Sequence, residues 1–81
     1  MAWVKIKNIL INLDNVKRID IDENALIFRF FEETKTILNF ENEEQVKEVY
    51  EYLVFCIETG KSFINLDKIL EKIVEQNKQN K

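Results

Sequence analysis

Apolar and polar residues alternate along Trp3-Val4-Lys5-Ile6-Lys7, the pattern of a strand with one face buried and one face wet. Ile9-Leu10-Ile11-Asn12-Leu13 predicts a second strand, closed by Asp14-Asn15, whose short side chains can bond their own backbone in a turn. Val16 to Ile21 predicts a third, with Lys17, Ile19 and Ile21 on the inner side and Val16, Arg18 and Asp20 on the other. Asp22-Glu23-Asn24 reads as a hairpin turn in which Asn24 best tolerates a left-handed backbone. Ala25 to Phe31, rich in aromatic and β-favouring residues, predicts the strongest strand, and Lys35 to Phe40 returns after Glu32-Glu33-Thr34. Connections this short make successive strands antiparallel neighbours, so a β-meander of four to five strands is expected over about residues 3–40.

The period then changes. Asn42 is a good N-cap, with Gln45 three residues on and Glu43 and Glu44 in the first turn, where the helix dipole favours them. Val46, Val49, Tyr50, Leu53 and Ile57 recur at helical spacing, which predicts a helix over about 43–59, ended by Gly60, the chain's single glycine. Asn65 caps a second helix over about 66–77 with a stripe of Leu66, Ile69, Leu70, Ile73 and Val74. The polar stretch 76–81 reads as a frayed tail. The expected fold is α+β, a meander followed by two helices packed on one of its faces, and a single domain over 1–81. Ile11-Asn12-Leu13-Asp14 recurs as Ile64-Asn65-Leu66-Asp67, but strand-like flanks in one copy and helical flanks in the other argue against an internal repeat.

Composition adds constraints more than functions. A chain of 81 residues with 46% hydrophobic content must build its stability from a dense core or from oligomerisation. It has one cysteine and no histidine, so neither an intrachain disulfide nor a histidine-bearing zinc site is available. The alternating pattern begins directly after Met1-Ala2, so no N-terminal signal is read there, and the longest apolar run, Leu53 to Ile57, is too short for a membrane helix. With a single free thiol and no glycosylation sequon, a cytoplasmic setting is expected. A net charge of -3 argues against coating nucleic acid by bulk charge.

No catalytic constellation emerges. The commonest general base is absent, no glycine-rich phosphate loop exists, and Cys56 lies among Leu53, Val54, Phe55 and Ile57 with no basic residue in the preceding turn to make it a thiolate. Asp20-Ile21-Asp22-Glu23-Asn24 begins like a calcium loop, then places Ala25 where glycine is required and Phe31 where a bidentate glutamate is required. The reading is therefore a non-enzyme without cofactor or metal.

What remains is surface. Val4 and Ile6, Leu26, Phe28 and Phe30, and Thr36, Leu38 and Phe40 sort to the inner face. The outer face then carries Trp3, Ile27, Phe31 and Ile37 interleaved with Lys5, Lys7, Arg18, Arg29 and Lys35, and on the first helix Tyr52 and Phe55 extend a second, moderately apolar side. Such faces suit self-association, a dimer first, together with a protein partner. The alternative is single-stranded nucleic acid, with rings for stacking and cations for phosphates. In order of elements only, meander then helix, the chain resembles the Whirly and PUR-type single-strand binders.

Overall fold

The alternating segments form strands where expected, but in two sheets instead of one. The computed structural model describes residues 1–79, with side chains through Glu75. Strands β1 (Trp3–Ile6) and β2 (Ile9–Asn12) form a hairpin, and a single 3₁₀ turn, Leu13–Asn15, leads to β3 (Val16–Asp22), β4 (Ala25–Phe30) and β5 (Lys35–Asn39). Helix α1 (Glu43–Glu58), a short strand β6 (Phe63–Asn65) and helix α2 (Leu66–Gln79) complete the chain. The class is α+β, as the patterning predicts. The antiparallel meander is β3-β4-β5; the other sheet has the order β2-β1-β6, with β6 parallel to β1.

The split has a local cause. Asn12 closes β2, and its Oδ1 accepts the Asp14 N–H at 3.0 Å, which tightens the chain into the 3₁₀ turn. The backbone leaves β2 through that turn instead of folding straight back, so β3 starts a new sheet. Asn65 repeats the device: it closes β6, and its Oδ1 accepts the Asp67 N–H at 3.0 Å to start α2. The Ile-Asn-Leu-Asp echo is thus one local solution used twice, a strand-ending Asn that caps a helical turn. Ile11 and Ile64 lie on either side of Val4 in register, so the two copies flank β1.

Capping at α1 follows the sequence. The Asn42 side chain accepts the Gln45 N–H at 2.8 Å, while Gln45 Oε1, from the one buried polar side chain among the described residues, accepts the Glu41 N–H at 3.0 Å. At the other end Gly60 takes φ +73°, Lys61 N–H donates to Cys56 C=O and Gly60 N–H donates to Ile57 C=O, a Schellman closure.

One core joins both sheets and both helices: Val4, Ile6, Leu26, Phe28, Val46, Val49, Leu53, Cys56, Ile64 and Leu66 are sealed from solvent. The buried α1 stripe is Val46, Val49, Leu53 and Cys56; Ile57, expected in that stripe, is half exposed at the flank. A second adjustment lies in β3, where a β-bulge between Val16 and Arg18 leaves Lys17 exposed and turns Val16 towards the core beside Ile19. A third is in the β3–β4 hairpin: Glu23, not Asn24, takes the positive φ of +55°. Asn24 instead ties the turn to the end of β5, its Nδ2 donating to Phe40 C=O at 2.7 Å and its C=O accepting the Phe40 N–H. The α2 backbone is helical through Gln79, further than predicted. The remainder of the expected frayed tail, Asn80 and Lys81, lies outside the described residues.

If the two Asn caps act alike, their losses differ only through the length of helix each supports. Asn65→Ala, at the head of α2, should lower stability by about 1 kcal/mol, and Asn12→Ala, at a single 3₁₀ turn, by less, as read from urea unfolding midpoints.

Candidate functional site

The residues expected to form one outer face are distributed over two sheets and two turns. Arg18, Arg29 and Lys35 align across β3-β4-β5 in one row, and Asp20, Ile27 and Ile37 in the next, so these share the open face of the meander. Trp3 and Lys5 belong to the other sheet. Lys7 sits in the β1–β2 turn at φ +53°, and Phe31 lies just beyond β4, 67% exposed. Tyr52 is half-buried against the core, and Phe55 points to solvent.

Much of the cationic character of these faces is already matched. Asp20 Oδ2 accepts from Arg29 Nε at 2.7 Å and from Arg18 Nε at 3.1 Å. The Arg29 hydrogen bond, followed by the charges of both arginines, holds the Asp20 carboxyl below its ordinary range. Directly opposite Asp20, Ile27 is only 7% exposed although it shares the open face of the meander. Lys5 Nζ pairs with Asp67 Oδ2 at 2.5 Å, and Asp67 Oδ1 accepts the Lys7 N–H at 2.7 Å. The Lys5 hydrogen bond and then the Lys7 amide hold the Asp67 carboxyl low as well. Asp67 thereby fixes a non-glycine residue in the left-handed region, a conformation that costs about 1–2 kcal/mol when nothing holds it.

Two exposed residues that the patterning missed complete the first sheet's open face. Leu10 lies opposite Lys5 and Phe63 opposite Trp3, and they are 57% and 54% exposed. Ile9-Leu10-Ile11 is apolar throughout, so period alone cannot say which of its residues turns outward, and Phe63 falls in the short link between the two predicted helices. The signal that could have found Phe63 was the Ile-Asn-Leu-Asp echo, since the strand preceding the first Asn implies one preceding the second. Trp3, Leu10 and Phe63 share this face with the Lys5–Asp67 pair, Lys5 standing beside Trp3 on the central strand with Leu10 and Phe63 on the outer strands.

A groove of about 700 Å³ runs between β3 and α1. Met1, Ala2 and Leu13 flank it, and Val16, Ile19, Tyr50, Leu53, Val54 and Ile57 add apolar lining. Lys17 and Lys61 share it with one acid, Asp14, while Arg18 at its margin is held by Asp20. Neither Lys17 nor Lys61 enters an ion pair among the described residues.

Cys56 is fully buried, and a hydrogen bond with it, followed by partial burial, raises the Tyr52 hydroxyl above its ordinary value. No group of three or more potential metal ligands occurs among the described residues, and none of the described helices is long and apolar enough to cross a membrane. No family model, curated protein or solved structure matches the chain.

Both depressed carboxyls belong to the folded state, so their stabilisation is complete above the unfolded carboxylate value of about 3.9 and is lost as pH falls through the lower folded values. Thermal stability should therefore drop on acidification below about pH 4. Asp67→Asn should cost about 1 kcal/mol at neutral pH and make that acid limb shallower, as measured by melting temperature against pH.

Proposed function

We propose that this chain is a small, non-enzymatic interaction protein that associates with a second copy of itself and engages a macromolecular partner. The observation that carries this reading is the cluster of Trp3, Leu10 and Phe63 on the open face of the first sheet. Trp3, on the central strand, is half-buried, with Leu10 and Phe63 exposed on the strands to either side. Apolar side chains exposed singly are ordinary, whereas such a group on one sheet face is the mark of a surface that is covered in use.

A second copy suits this face. A two-fold contact sets a patch against itself, so any net charge in the patch repels its own image. Here Lys5 is already neutralised by Asp67, and the patch can meet its copy without that penalty. Association also addresses the size of the chain, since a domain this small buries a limited share of its surface alone. A reducing, cytoplasmic setting accords with the reading, because Cys56 serves as a core residue there.

The single-stranded nucleic acid alternative draws less support. Lys5, Arg18 and Arg29, three of the cations on which it relies, are already engaged by Asp67 and Asp20. A phosphate would have to compete with a carboxylate for the charge at each.

Multi-angle light scattering over a concentration series should show a dimer. Leu10→Lys and Phe63→Lys place like charges on facing copies and should give a monomer of unchanged circular dichroism. A wild-type chain that stays monomeric at every concentration would refute self-association.

A further inference from the structure

The groove between β3 and α1 is separate from the apolar cluster on the first sheet, and three features of it point to one kind of occupant. The first is an open strand edge. β3 stands at the margin of its sheet and pairs only with β4, and no described backbone group bonds to its other edge from Lys17 to Asp22. Those outward N–H and C=O groups can accept another extended chain. The second is an apolar bed directly beside that edge. Tyr50, Val54 and Ile57 of α1 rise along it with Leu53 at the bottom, so every other side chain of an added strand would have a place to be buried.

The third feature is charge. The chain carries a net charge of -3, yet the groove brings Lys17 and Lys61 together against Asp14, with Arg18 at its margin already held by Asp20. The bulge that pushes Lys17 outward helps place this charge at the mouth. Unlike Lys5, Lys17 and Lys61 have no carboxylate partner among the described residues. A second copy is poorly matched here, because its own β3 would bring the same cations against these.

We propose that the β3–α1 groove binds an extended acidic peptide segment of a partner protein by strand addition to β3, with its apolar side chains against α1 and its carboxylates near Lys17 and Lys61. This rests on the interaction-protein reading and identifies the site at which the partner is engaged; self-association through Trp3, Leu10 and Phe63 is independent of it.

The probe is an acetylated, amidated peptide of alternating valine and glutamate, labelled for fluorescence anisotropy and titrated with the full chain. Binding should be present, weaken with added salt, and vanish for a peptide in which lysine replaces glutamate. The double variant Lys17→Glu, Lys61→Glu, which alters exposed side chains only, should reverse the preference between the two peptides. Methylating alternate backbone amides of the probe removes main-chain hydrogen bonds without touching the protein, and should weaken binding about tenfold or more in one of the two registers. Amide shifts in NMR spectra should fall on β3 and on the groove side of α1. No binding of the acidic peptide, equal binding of both methylated forms, or shifts confined to the first sheet would each overturn the proposal. So would β3 shifts produced by raising the protein concentration alone, which would assign the groove to a second copy. Repeating the titration on Leu10→Lys separates the two claims: retained binding supports the groove as a site of its own, and lost binding overturns it. A monomeric wild type would remove self-association while leaving the peptide result to stand.

Discussion

The parallel pairing of β1 with β6 is the constraint on which the rest of the molecule depends. Val4 lies between Ile11 and Ile64 in the sheet, so the first strand is gripped by a segment that follows it at once and by one from the far end of the chain. A parallel neighbour cannot be reached by a tight turn; it needs a long crossover, here the whole meander and α1. The pairing therefore encloses the middle of the chain between its two ends. Asp67 reinforces it from the start of α2, reaching Lys5 and the Lys7 amide across the β1–β2 turn.

From that closure follows the division of surfaces. With β6 on one side of β1, β2 is the opposite edge of the first sheet, and β3, led away through the turn at Asn12, begins another. One sheet presents Trp3, Leu10 and Phe63; the other presents paired arginines on its face and an unpaired edge at β3. The helices cover the inner faces of both, and α1 stands close enough to β3 to leave a lined groove. A single continuous sheet would have offered one broad basic and aromatic face. Two smaller sheets offer an apolar cluster and a charged groove, which suit different partners.

Asp20 and Asp67 show how carboxylates decide what a basic surface can do. Counting Lys and Arg on alternating positions makes the outer faces look ready for phosphates. Each of these aspartates withdraws cations from that role by bonding them directly; Arg18 and Asp20 lie two residues apart on one strand, but Arg29 reaches Asp20 across the hairpin and Asp67 lies 62 residues from Lys5. Of the lysines in no ion pair among the described residues, Lys17 and Lys61 meet at the groove, while Lys7 stays in the β1–β2 turn and Lys35 on the open face of the meander.

The sequence by itself determined the elements. Alternation placed Val4, Ile6, Leu26, Phe28 and Leu38 inside, the 3.6-residue period placed Val46, Val49 and Leu53 inside, and Asn42, Gly60 and Asn65 marked helix ends, because these signals are local and act within a turn or a strand. Tertiary structure alone decided the parallel placement of β6 beside β1, the outward turn of Leu10 and Phe63, the exposure of Ile57 and the pairing of Asp67 with Lys5. A three-residue strand such as Phe63–Asn65 has too few residues to show a period, and a uniformly apolar run such as Ile9-Leu10-Ile11 has none to show. Bulges and long-range ion pairs depend on which strand lies alongside, and that is settled only when the distant ends of the chain meet at β1.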